Sequence, residues 1–69
     1  MKQQLDTIVY ELALLGYYAS YKMSYPQIWL TVQLPDSILE FTFVESDLID
    51  WKTTMTTYTK ILKGISEVG

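Results

Sequence analysis

The chain has no cysteine, histidine, arginine or asparagine among its 69 residues, and only two prolines and three glycines. Each absence removes a class of chemistry. Without cysteine there is no disulfide framework, no thiolate nucleophile and no thiolate zinc site. Without histidine there is no imidazole base, no Ser-His-Asp triad and no imidazole metal ligand. Without arginine there is no planar fork for a bidentate grip on phosphate or guanine. The glycines, at 16, 64 and 69, make neither a G-x-G-x-x-G nor a Walker loop. No run of oxygen ligands has the spacing and central glycine of a calcium loop. The expectation is a protein without metal, cofactor or catalytic activity.

A long hydrophobic run is also missing. The longest stretch without a polar side chain is Leu12 to Ala19, eight residues, against the ~20 that a membrane span needs. The start of the chain, with Lys2, Gln3, Gln4 and Asp6, lacks the apolar segment and small-residue cleavage site of a secretory leader. With no cysteine in use, the reading is a cytoplasmic chain without a membrane partner. The length bounds it to a single domain over residues 1–69, with no linker and at most a short tail at 66–69.

What is present is apolar bulk. Hydrophobic residues make up 49% of the chain, with two Trp, two Phe and six Tyr. A domain of this size buries only ~60% of its unfolded surface, so each aromatic, worth roughly 150–250 Å² of burial, substitutes for a missing staple. Homodimerisation is the other usual remedy.

Apolar residues at 5, 8, 9, 12 and 15 have the spacing of one helix face, and Gly16 stands where a helix needs a left-handed terminator. The period then changes to two. Tyr17, Ala19, Tyr21 and Met23 alternate with Tyr18, Ser20, Lys22 and Ser24 until Pro26. Ile28, Leu30, Val32 and Leu34 alternate with Gln27, Trp29, Thr31 and Gln33. After the turn residues Pro35-Asp36-Ser37, Leu39, Phe41 and Phe43 alternate with Ile38, Glu40, Thr42 and Val44. Short connections make these strands antiparallel neighbours.

Ser46 or Asp47 can then cap a last helix, in which Leu48, Trp51, Met55, Tyr58, Leu62 and Ile65 form the inward stripe and Gly64 offers a stop. Thr53, Thr54, Thr56, Thr57 and Thr59 oppose this, each costing a helix up to ~0.7 kcal/mol relative to Ala. The alternative is a strand over 51–62. The fold class read from this order is α+β: a single α-β-β-β-α domain, a three-stranded antiparallel meander with both helices packed on one face.

This order and length resemble the double-stranded RNA-binding domain. That resemblance implies a basic cluster at the start of the second helix, where phosphates are held. The matching stretch here, Glu45-Ser46-Asp47-Leu48-Ile49-Asp50, is acidic, and five scattered lysines supply little counterion release. The RNA-binding function is therefore not carried over, and no nucleic acid is expected as a direct ligand.

Charge points to a protein partner instead. Residues 1–35 sum to zero, residues 51–69 to +2, and residues 36–50 to −5 through Asp36, Glu40, Glu45, Asp47 and Asp50. Five acids without a counter-charge form a candidate patch for a basic partner surface. A second candidate is the sheet face left open by the helices, with Tyr18, Lys22, Trp29, Thr31 and Thr42 around an outward Trp. Size and acidity are similar to those of small phage anti-defence inhibitors such as anti-CRISPR proteins. This implies an inhibitor that blocks a nucleic-acid-binding surface of its partner. The competing expectation is a homodimeric structural or adaptor domain that pairs through the open sheet face.

Overall fold

In the computed structural model, which describes residues 2–68, the first helix, α1, spans Lys2–Leu14. Its buried side is Leu5, Ile8 and Leu12, with Val9 beside them. The helix ends on a glycine with φ of +92°, Gly16, whose N–H donates to the Ala13 carbonyl while Tyr17 N–H donates to that of Leu12. This paired closure satisfies two carbonyls that the helix end leaves open. It also corrects one expectation. Leu15 lies beyond the last helical residue, in the turn that closes on Gly16, and is 55% exposed rather than in the core.

The sheet has order β1-β2-β3, with β1 at Tyr18–Ser24, β2 at Gln27–Gln33 and β3 at Ile38–Val44, all antiparallel. Its covered face is built in three tiers: Ala19–Val32–Leu39, Tyr21–Leu30–Phe41 and Met23–Ile28–Phe43. The central strand contributes Ile28, Leu30 and Val32, all buried, so the core sits between β2 and the two helices. A period-two strand with one apolar face has only one register that buries that face, which is why the strand alternation is read correctly from sequence.

After β3 the chain makes one tight 3₁₀ turn, Glu45–Leu48, that buries Leu48, and α2 then spans Trp51–Val68. The cap of α2 is Asp50, not Ser46 or Asp47. Its Oδ1 accepts the Thr53 N–H at 2.7 Å, the reach of an N-cap to the third helical residue. Asp47 acts earlier, with Oδ2 accepting the Val44 N–H at 3.0 Å. Gly64 is not a stop either. It lies inside α2 against the Phe41 ring, where an added Cβ would stand 2.8 Å from a ring carbon.

The threonines adapt to the helix by turning their hydroxyls onto its backbone. Thr54, Thr56 and Thr59 donate to the carbonyls of Asp50, Lys52 and Met55, each four residues back. Thr57 donates instead to the Asp47 carbonyl at 2.8 Å, pinning the helix to the turn before it. With their hydroxyls satisfied, Thr54 and Thr57 are buried together with Ile61 and Ile65. The inward side of α2 is thus rotated from the expected stripe. Tyr58 and Leu62 flank the core, while Trp51 and Met55, expected within it, are 46% and 58% exposed.

Candidate functional site

Because Ile28 and Leu30 must enter the core, Trp29 between them projects to the opposite face of the sheet. The same alternation in the flanking strands completes that face. Its tiers are Tyr18–Gln33–Ile38, Ser20–Thr31–Glu40, Lys22–Trp29–Thr42 and Ser24–Gln27–Val44. All five residues expected on the open face, Tyr18, Lys22, Trp29, Thr31 and Thr42, are there. Trp29 and Thr31 on the central strand are half-buried by their neighbours, and the edge-strand residues Tyr18, Lys22 and Thr42 are exposed. Ser20, Lys22, Ser24, Trp29, Thr31 and Glu40 border a depression of 430 Å³. An indole plane rimmed by hydroxyls, one ammonium and one carboxylate can seat a flat or apolar side chain and bond the polar groups around it.

The five acids of the expected patch are spread along β3 and the turn that follows it. Asp36 lies in the turn before β3, Glu40 on the open face at its middle, and Glu45 just past its end. At ~3.4 Å per extended residue, the seven residues of β3 put roughly 20 Å of strand between Asp36 and Glu45. Glu45, Asp47 and Asp50 gather in the turn between β3 and α2, while Glu40 and Asp36 stand progressively further back along the β3 edge. Two of the five also hold backbone. Asp47 takes the Val44 N–H, and Asp50 takes that of Thr53, which lowers its carboxyl below the ordinary value. Lys60 of α2 lines a 200 Å³ hollow together with Asp47, Phe41 and Phe43. Three exposed carboxylates, Asp36, Glu40 and Glu45, remain for a partner.

A third constellation ties α1 to β1. Tyr21 donates its hydroxyl to Asp6 Oδ1 at 2.7 Å, and Lys2 Nζ reaches Oδ2 at 3.0 Å. These bonds, Tyr21 first, lower the Asp6 carboxyl and raise the Tyr21 and Lys2 titrations. With Tyr21 on the covered face and Tyr18 on the open one, the aromatic run from Tyr17 to Tyr21 is divided between the faces. It offers no continuous platform for stacked bases.

Sequence reasoning missed one surface. Trp51, Met55 and Tyr58 of α2 face Thr7 and Glu11 of α1 across a groove of 190 Å³. The signal for it is the strict alternation of three and four in the α2 stripe, a pattern that by itself points entirely to the core. Among the described residues no three Asp or Glu side chains gather as metal ligands would, and no helix is long and apolar enough to cross a membrane. No family model matches the chain, and no curated protein or solved structure matches it.

Proposed function

We propose that the chain is a non-enzymatic interaction module that docks a protein partner on its open sheet face, in the cytoplasm. The observation that carries this reading is Trp29, central on that face between Lys22 and Thr42, with none of the chain's own helices over it. A Trp on a flat, mixed polar surface has the character of an interface anchor, and the hydroxyls around it supply the polar rim. Asp36, Glu40 and Glu45 along the β3 edge favour a basic partner surface and speed its approach without themselves being deeply buried. A small acidic occupant of a basic surface excludes nucleic acid from it. The form of the module we infer is therefore an inhibitor, comparable in size and charge to the anti-CRISPR proteins of phage.

The variants that test this are set by the roles of the acids. Reversing Asp47 or Asp50 would disturb the turn and the cap, so the charge test uses Asp36→Lys, Glu40→Lys and Glu45→Lys together. Tagged protein is presented to native-host extract, and captured chains are identified by mass spectrometry at about 50 and about 300 mM salt. One partner should be captured by wild type, released from nucleic acid in a mobility-shift assay, and lost with Trp29→Ala. The triple reversal should abolish the salt dependence. Unchanged capture by Trp29→Ala, or a direct shift of nucleic acid by the chain alone, contradicts the reading.

A further inference from the structure

The helical layer carries a second surface, on the side of the molecule away from Trp29. Leu48 just before α2, then Trp51, Met55, Tyr58, Leu62 and Ile65 along it, recur in steps of three and four, the spacing of the narrow seam by which one helix seats against another. The ends of the seam are used, since Leu48 and Ile65 are buried in the chain's own core. Its middle is not. Thr54 and Thr57 take the inward positions, leaving Trp51 46% and Met55 58% exposed beside the groove toward α1.

Charge around the groove selects the occupant. Glu11 stands on the α1 wall near Tyr58, whose hydroxyl titration it helps burial to raise. Lys52 lies exposed on α2, before the groove residue Met55. Lay a second α2 antiparallel on the seam, about a two-fold axis at Met55. Position 55 + n then faces position 55 − n of the other copy, so Lys52 falls level with Tyr58 of its mate, the residue near which Glu11 stands. The two-fold repeats the pairing, giving two opposite-charge contacts from one surface, as a self-complementary interface requires.

Size agrees with a reversible association. Helices of 13 and 18 residues are about 20 and 27 Å long at 1.5 Å per residue, and they lie side by side at roughly 10 Å spacing. The layer therefore offers a footprint of roughly 500 Å² per copy, below the ~800 Å² of a standard stable interface. That size fits a reversible association and not an obligate dimer.

We propose that this groove seats a second copy of the chain, in a two-fold dimer whose α2 helices pack antiparallel through Trp51 and Met55, with Lys52 of each copy facing Glu11 of the other. The helices then lie in the middle and the sheets outside. Both open sheet faces stay available, so the dimer presents two partner sites pointing apart. The proposal does not depend on what the sheet face binds.

Sedimentation equilibrium of the full chain tests it, over about 10 to 500 μM. The expected mass rises from 8.0 kDa toward twice that value with concentration. Met55→Glu, which sets two carboxylates on the axis at an already exposed position, should hold the chain monomeric with an unchanged far-UV spectrum. Lys52→Glu should weaken association about tenfold or more, since two attractions become repulsions. Adding Glu11→Lys to Lys52→Glu should restore it. Trp29→Glu, on the opposite face, should leave it unchanged. A monomer across the whole range overturns the proposal. So does a dimer that survives Met55→Glu, a charge swap that fails to restore the single reversal, or a dimer abolished only by Trp29→Glu.

Discussion

Asp50 and Asp6 are exposed carboxylates that nevertheless hold structure, one as the cap of α2 and the other as the acceptor joining Tyr21 and Lys2. Both titrate below the ordinary 3.8 of an aspartate in the folded chain. A lowered folded value means that their contribution is complete above the unfolded value and is lost as pH falls through the folded one. The urea midpoint should therefore be flat above about pH 5 and fall below about pH 4. An Asp6→Asn, Asp50→Asn double variant should show a shallower acid slope, because asparagine still caps and accepts but carries no proton to titrate. An identical slope would place the acid sensitivity elsewhere. Gly64 is the other residue whose role is local. Alanine there gains ~1 kcal/mol of helix propensity but drives its Cβ into the Phe41 ring. Overpacking costs ~1–3 kcal/mol, so Gly64→Ala should lose stability by about 1 kcal/mol. In a Phe41→Leu background the same change should be stabilising. A stabilising Gly64→Ala in the wild-type chain would show that the contact yields freely.

The elements differ in how far they can be read from sequence, and the reason is physical. In the strands, Leu30 and Trp29 are neighbours with opposite fates, and the alternation decides between them because a one-residue slip would expose every core side chain. The end of α1 is equally readable, since Gly16 supplies a backbone angle that other residues rarely adopt. The phase of α2 is not. Thr54 and Thr57 count as polar in a sequence pattern, yet each carries a methyl group and a hydroxyl that a backbone carbonyl can satisfy. Only the packed structure shows that Asp50 and Asp47 provide those carbonyls. The expected stripe through Trp51 and Met55 was therefore displaced around the helix. This has a measurable consequence in dilute solution. Leu30→Ala, at a fully buried site, should cost about 2–5 kcal/mol. Trp51→Ala should cost about 1 kcal/mol or less, where a core tryptophan would cost ~3–5. A large loss at Trp51 by urea titration at low micromolar concentration would restore it to the core.

At the scale of the whole molecule, the −5 of residues 36–50 is correct as a count and misleading as a shape. A seven-residue strand separates Asp36 from Glu45, and two further acids are engaged by backbone N–H groups. The sequence reports the charge but not the distance over which β3 spreads it, so from sequence the acidic patch and the open sheet face stand as separate candidates. They meet at Glu40, which belongs to both. The docking reading therefore centres on the face, with the acids as its charged margin. The most direct measurement is capture of the partner by wild type, Trp29→Ala and Thr42→Lys, compared with Met55→Glu at matched far-UV signal. Thr42 is exposed on the face, so its lysine variant blocks docking without opening the core. The account predicts that both sheet-face variants lose the partner and that Met55→Glu still captures it. Retention by Trp29→Ala and Thr42→Lys, with loss by Met55→Glu, would contradict it and move the partner site to the helices.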